Sequence, residues 1–394
     1  MGSWMQAAAQ SWAVLRLTGS SAALGLSVSL QALPGLALGL WGGVLADRMP
    51  RRLLLVATQG AHALLALLLA VLTATGRLSV GALLATALVG GLISATEGPA
   101  SSALTAELVD ADDLPSAVAL GGVTYSLGRI VGMAAAGVVL GWVGPAWAFA
   151  INGCSFLPVI VVLATLPVGG AHLATHRRAS AWTDLVEGLG AVRQHPTLLL
   201  TFVVAFSLGA FGRNYQVTMA VMSSEVFGRG AAGYAMLSTV FAVGALAGGI
   251  AAAHVGRSGL RYVLGVGAAG ACLQLLSAAT PSFLGFAALI AGIGALAVMF
   301  DTGVSAHVQI AATDAFRGRI NGAAMVTSAA SGVIGAPILG SLAESFGGRA
   351  ALALGAMACL GTVALAVQRQ LADTTLRDAF ATLWPRASLH TEPR

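Results

Sequence analysis

Apolar positions along this chain gather into twelve runs, at 2–17, 21–45, 53–75, 79–104, 116–141, 145–167, 197–222, 231–253, 262–280, 282–307, 319–343 and 348–368. All but the first are 19–26 residues long. An α-helix rising 1.5 Å per residue needs about that length to cross a ~30 Å hydrocarbon layer. Short alternating segments of the kind that close a membrane barrel do not occur. The longest polar break, 168–196, contains "AWTDLVEGLGAVRQH", whose apolar residues recur at helical spacing. That pattern predicts an amphipathic helix lying on the membrane surface. The organisation is therefore a six-helix bundle over 1–167, a linker over 168–196, a second six-helix bundle over 197–369, and a polar tail over 370–394 expected to be disordered. The first run spans only about 25 Å at helical rise, short of the ~30 Å layer, so some fourteen further residues are expected ahead of Met1.

Composition agrees with the pattern. The chain is 57% hydrophobic and 9% charged, and its mean hydropathy is +0.86. Its 51 glycines let helix backbones approach closely in lipid. A pI near 9.7 raises nucleic acid as a partner, but the basic residues form no stripe among aromatics and sit in short breaks between runs. No nucleic-acid partner is expected. All twenty basic residues are Arg. The even-numbered breaks, the linker and the tail hold Arg48, Arg51, Arg52, Arg177, Arg178, Arg193, Arg257, Arg261, Arg317, Arg319, Arg369, Arg377, Arg386 and Arg394; the odd breaks hold only Arg16, Arg77, Arg229 and Arg349. Positive residues favour the cytoplasmic side, which places both termini and the linker in the cytoplasm of a bacterial inner membrane. Cys154, Cys272 and Cys359 lie far apart within apolar runs and read as packing residues, with no metal-ligand spacing. No metal or cofactor is expected. There is no G-x-x-x-x-G-K-[ST] loop for ATP, no H-E-x-x-H and no G-x-S-x-G, so neither an ATP-driven pump nor an intramembrane enzyme of those kinds fits.

The two halves echo each other. Gly132, Gly137 and Gly144 each have a glycine 203 residues later, at Gly335, Gly340 and Gly347. "GLALGLWGGVLADR" echoes "GALAGGIAAAHVGR", and "GSWMQ" at Gly2–Gln6 echoes "GRNYQ" at Gly212–Gln216. Internal repeats in a membrane protein point to two bundles rocking about a central site. Glycines four apart, at Gly35, Gly39 and Gly43 and at Gly244 and Gly248, mark close helix contacts and candidate sliding faces.

Charge is concentrated in Gly43-Val-Leu-Ala-Asp47-Arg48-Met-Pro-Arg51-Arg52, between the second and third runs. This stretch resembles the G-x-x-x-D-R-x-G-R-R signature of the major facilitator superfamily, with Pro50 in place of the second Gly and hence a stiffer turn. "SWMQAAAQSWAVLRLTGS", "TAELVDADDLPSAVAL", "SLGRIVG" and "FRGRINGAAM" resemble its enterobactin-exporter-like, transmembrane secretion effector branch, in which an R-G-R such as Arg317-Gly318-Arg319 is common. The resemblance implies a major facilitator fold of twelve transmembrane helices in two pseudo-symmetric bundles. It further implies a cytoplasmic gate in which Asp47 meets the eleventh helix beyond Arg319. Arg48, Arg51 and Arg52 then face Glu107, Asp110, Asp112 and Asp113, each contact being worth roughly 0.5–3 kcal/mol. The alternative is a basic loop that only sets topology.

Ionisable groups at membrane depth are costly and mark function by default. Glu97 in the fourth run and Asp301 in its repeat mate, the tenth, are candidate carriers of a coupling proton or else hydrogen-bonded structural carboxyls. Relatives in the branch tend to carry Asn where Asp301 stands. Arg129, in a Gly-rich stretch resembling the antiporter motif of drug exporters, is the expected partner of Glu97. Arg213 is a candidate substrate contact or a snorkelling edge residue. His62 and His307 read as packed residues, and Glu225 and Glu344 as solvated outer groups. With these buried charges, the resemblance implies a monomeric secondary transporter of small, fairly apolar compounds by proton antiport, and the branch implies export; the alternatives are an uptake permease, a lipid flippase or a non-transporting sensor.

Overall fold

A computed structural model describes residues 1–110, 113–166, 181–256, 259–311 and 317–383; side chains at 39–48, 181–185, 317–319 and 373–383, and at scattered positions over 106–130 and at 188, 191 and 321, are not included. The first six runs form α1 (Gly2–Thr18), α2 (Ser21–Arg48), α3 (Arg51–Ala74), α4 (Val80–Leu108), α5 (Leu114–Trp142) and α6 (Pro145–Thr165). The helix expected within the linker follows as α7 (Ala181–Gln194). The seventh run is broken into α8 (Pro196–Ser207) and α9 (Tyr215–Val221), each ending in a π-helical turn, Leu208–Gly212 and Met222–Val226. The rest are α10 (Gly230–Val255), α11 (Leu260–Ala279), α12 (Phe283–Ala311), α13 (Arg317–Phe346) and α14 (Gly348–Leu383). Ten of the described spans are long and apolar enough to cross a membrane, and the 17-residue α1 and the apolar Leu127–Trp142 of α5 complete the twelve. The expected disorder of the tail is corrected over 370–383 alone, where α14 continues to Leu383, since "QRQLADTTLRDAFATL" lacks Gly and Pro; 384–394 lie outside the described residues.

Element ends follow local chemistry. Ser79 starts α4 by accepting from Ala82 N at 3.2 Å. Pro145 and Pro196 sit in the first turns of α6 and α8, where the missing N–H costs nothing.

The glycine repeat has a structural cause at each of its three positions. A Cβ on Gly132 would strike the carbonyl of Met1 in α1, and one on Gly335 would strike that of Ala210 in the turn after α8. So α5 and α13 seat on equivalent helices of their own halves. Gly137 presses on the Ala235 carbonyl of α10, and Gly340 on the Ser21 carbonyl of α2, so the same two helices also seat on the opposite half. Gly144 and Gly347 both have φ near 86°, open to glycine at little cost, and they start α6 and α14. Gly244 and Gly248 make the close helix contact expected of them, abutting the carbonyls of Ala291 and Ala295 in α12. That contact lies inside one half, so the sliding face between halves is corrected.

The halves meet along α2 with α13 and α5 with α10. The contacts concentrate at the end away from α7, the distal end. There Ser21 Oγ donates to Gly340 O at 3.0 Å, Ser29 Oγ donates to Val333 O at 2.7 Å, and Trp12 stacks on Tyr234 at 6.3 Å. The largest buried cluster draws on both halves at this end, joining Trp12 and Phe149 to Tyr234, Phe286 and Leu352. At the linker end the halves keep separate clusters, one around Leu54, Leu104 and Leu163, the other around Val192, Phe202 and Ile320. Among the described residues, the halves join at the distal end and keep separate buried clusters at the linker end.

Candidate functional site

The break in the seventh run creates the main site. In a membrane interior, released backbone groups need internal partners. Asn214 Nδ2 donates to Ala210 O at 2.7 Å and Gly209 O at 3.3 Å, and Gln274 Nε2 of α11 donates to Phe211 O at 3.1 Å. The unwound turn presents Arg213 to α12, where it grips Asp301 with both nitrogens: Nη1 to Oδ1 at 2.5 Å and Nη2 to Oδ2 at 2.7 Å. The forked guanidinium matches a carboxylate in this two-point way. Both side chains are partly exposed, at 28% and 35%, because they floor a cavity of about 710 Å3. That cavity runs between α8, α12 and α13 toward the linker end. Phe202, Phe300, Val304 and Met325 make its apolar wall, and Asn214, Ser305, Gln309 and Ser328 its polar one. Tyr215, the next residue but one after Arg213, packs on Phe241 of α10 with ring centroids 4.5 Å apart.

In the N-terminal half, Glu97 faces α3. It accepts from Gln59 Nε2 at 2.6 Å and lies 3.4 Å from His62 Nε2, whose ring stacks on Phe156 of α6. Ser94 Oγ is also 3.4 Å from His62 Nε2. The expected Glu97–Arg129 pair is thereby corrected: on α4, Glu97 turns toward α3, where Gln59 and His62 are its partners. His62 is both packed and paired. His307 Nε2 is buried with no hydrogen-bond partner among the described residues.

The charged loop is built within one half where its side chains are described. Arg51 pairs with Glu107 as expected. Arg52 departs from expectation, donating to the Ala164 and Leu166 carbonyls at the end of α6 rather than meeting an acid. A helix C-terminus offers unpaired carbonyls and partial negative charge, which suits a guanidinium. Gly43, Asp47, Arg48, Arg317 and Arg319 lie outside the described side chains, and Asp112 outside the described residues. Among the described residues, a carboxylate that does link the halves is Glu344, expected to be merely solvated. Though exposed, it accepts from Ser20 Oγ at 2.6 Å and from Ala22 N at 3.0 Å, capping the start of α2 from α13.

Gln59, Asn214, Tyr215, Ser305, Gln309 and Glu344 carry site geometry that sequence reasoning did not assign. The one visible signal was the polar "GRNYQ" inside an apolar run, since three polar residues together at membrane depth need partners.

The chain matches the family of transmembrane secretion effectors over residues 1–392. It is 26% identical over 265 residues to the staphyloferrin A transporter of Staphylococcus aureus (strain NCTC 8325 / PS 47). That alignment takes in 67% of this chain and 65% of the relative, so the match spans just under two thirds of the relative's length. Among solved structures it resembles the nucleoside transporter NupG, with a TM-score of 0.72 at 14% identity, covering 93% of this chain and 96% of that one. It also resembles a bacterial homologue of the human lysosomal transporter Spinster in an inward-facing, occupied conformation, with a TM-score of 0.63 at 16% identity, covering 93% of each chain.

Proposed function

We propose that this chain, which belongs to the transmembrane secretion effector family and is a transporter of major facilitator fold and not an enzyme, exports small amphiphilic compounds by alternating access coupled to proton antiport. The observation that carries the proposal is the cavity floored by Arg213 and Asp301, which opens toward the linker end while the distal end is joined. Arginine placement assigns the linker end to the cytoplasm, so the cavity loads from inside the cell. The mixed lining narrows the expected cargo from fairly apolar to amphiphilic: a siderophore or other secondary metabolite, or a drug-like molecule. A relative named for staphyloferrin A transport supports a siderophore-type cargo. In this reading Asp301 and Arg213 hold the substrate side of the cycle. Glu97 with His62 takes up the returning proton, since a carboxylate and an imidazole side by side can share one. Asp47, Arg48, Arg51, Arg52, Arg317 and Arg319 gate the linker end.

The test is pH-gradient dissipation in inverted membrane vesicles, with iron-chelating metabolites and lipophilic drugs as the panel. Expected is compound-dependent proton movement in the wild type that Glu97→Gln abolishes. Proton movement unchanged in Glu97→Gln and Asp301→Asn alike would remove both from coupling. Accumulation of the compound inside cells expressing the protein, in place of depletion, would reverse the direction.

A further inference from the structure

We infer that the cargo of this site is a zwitterion, a molecule that carries an ammonium and a carboxylate a few atoms apart on an apolar body. The inference rests on the transporter reading above and narrows its substrate class. It begins with the pair that floors the cavity. Arg213 and Asp301 meet fork to fork, Nη1 to Oδ1 at 2.5 Å and Nη2 to Oδ2 at 2.7 Å, so together they carry no net charge. Neither is sealed off: 28% and 35% of the two side chains stay exposed on the cavity floor. A guanidinium has five N–H donors and a carboxylate about four acceptor sites. The fork engages two of each, which leaves about three donors on Arg213 and about two acceptor sites on Asp301. The neighbouring amides are engaged elsewhere, Asn214 with the carbonyls of Gly209 and Ala210 and Gln274 with that of Phe211. The pair therefore presents the cavity with a dipole, positive at Arg213 and negative at Asp301, with free sites at both ends.

A dipole selects another dipole. An anion drawn to Arg213 is repelled by the adjoining Asp301, and a cation drawn to Asp301 is repelled by Arg213. Either one also brings an uncompensated charge to membrane depth, where it is costly. A zwitterion avoids both penalties. Its carboxylate takes the free N–H groups of Arg213 and its ammonium the free lone pairs of Asp301, so that the four charges alternate and the total stays at zero. The rest of the cavity fits such a molecule. Among its described lining residues, Arg213 and Asp301 are the only charged ones. Ser305 and Gln309 add uncharged hydrogen bonds, and Phe202, Phe300 and Met325 cover the apolar body. An uncharged analogue would meet the same walls and gain nothing from the dipole beyond ordinary hydrogen bonds.

Phenylalanine, phenethylamine, 3-phenylpropionate and 3-phenylpropanol share one apolar frame and carry, in turn, both charges, the positive alone, the negative alone and neither. Their binding is measured by equilibrium dialysis and thermal stabilisation on the purified full chain in nanodiscs at neutral pH. Expected is binding of phenylalanine at least about tenfold tighter than any of the other three. Arg213→Gln leaves the carboxylate alone and should hand the preference to phenethylamine. Asp301→Asn leaves the guanidinium alone and should hand it to 3-phenylpropionate. A variant that merely misfolds loses all four probes together and cannot give crossed preferences. With both changes combined, the four should bind within a few-fold of one another. Phenethylamine or 3-phenylpropionate binding the wild type as tightly as phenylalanine overturns the proposal. So does a phenylalanine preference that survives unchanged in either single variant, or no phenylalanine binding to folded wild type up to its solubility limit. Flux of singly charged or uncharged compounds in vesicles, with no zwitterion preference here, would leave the export reading standing and remove this one. The preference and its crossing in the variants, with no compound-dependent proton movement in vesicles, would uphold the zwitterion site and remove the antiport reading.

Discussion

Asp301 on α12 and Glu97 on α4 sit in repeat-related helices, yet each half has given its carboxylate a different kind of partner. Asp301 is clamped by a guanidinium, two nitrogens to two oxygens, and faces a large cavity. Glu97 lies beside an imidazole and an amide, packed between α3, α4 and the ring of Phe156 on α6. Arginine keeps its charge at any accessible pH, whereas the charge of histidine changes between about pH 5 and 8. In the proposed cycle the first pair would exchange partners with a ligand and the second would exchange a proton. The sequence echo itself hints at the divergence: Ser3 stands in "GSWMQ" where Arg213 stands in "GRNYQ".

That contrast is open to direct attack. The largest effect is expected from Arg213→Gln, which leaves Asp301 unpaired at membrane depth. Flux should fall about a hundredfold, and stability should drop by roughly 1–3 kcal/mol, read as a lowered melting temperature in nanodiscs. Combining it with Asp301→Asn should recover the stability and leave flux absent; stability that stays low in the double variant would mean the pair is not the cause. Next, Glu97→Gln and His62→Phe should each cut proton-driven flux by at least about tenfold while leaving gradient-free substrate exchange intact. The His62→Phe change keeps a ring against Phe156 and removes only the titratable group. Equal loss of exchange would put Glu97 at the substrate instead and dissolve the division of labour.

Smaller effects test the scaffold. Gly132→Ala and Gly335→Ala each push a methyl into a neighbouring carbonyl, so both should destabilise by about 1–3 kcal/mol and by similar amounts. A large disparity in melting temperature would show that the two repeats pack unequally at this point. Weakest of all, Glu344→Gln should shift the balance of distal-open and distal-closed molecules only a few-fold, because an exposed cap is screened by water. Spin labels at Trp147→Cys and Phe346→Cys, both exposed at the distal end, would report the longer distance; an unchanged distribution would assign Glu344 no part in closure.

Much of the architecture was readable beforehand. Run length and polar breaks located the twelve helical spans and the linker helix α7, and a spacing of 203 residues between glycines found positions that prove equivalent in contact and in backbone angle. Arg51 with Glu107 was legible as well, because the loop brings them to adjacent helix ends. Arg52 was not, since its partners are backbone carbonyls, which carry no sequence signature. Glu344 was missed because its partners on α2 lie more than 320 residues away and are a serine and an amide.

By itself the sequence determined what depends on distance along the chain: helix lengths, the two-bundle repeat, the charge asymmetry of the breaks, and which ionisable residues lie at membrane depth. Tertiary structure alone decided which of those charges meet. Each step along a helix turns a side chain by about 100°, and the helix it then faces is set by packing of the whole bundle. So Glu97 found His62 instead of Arg129, and Asp301 found Arg213.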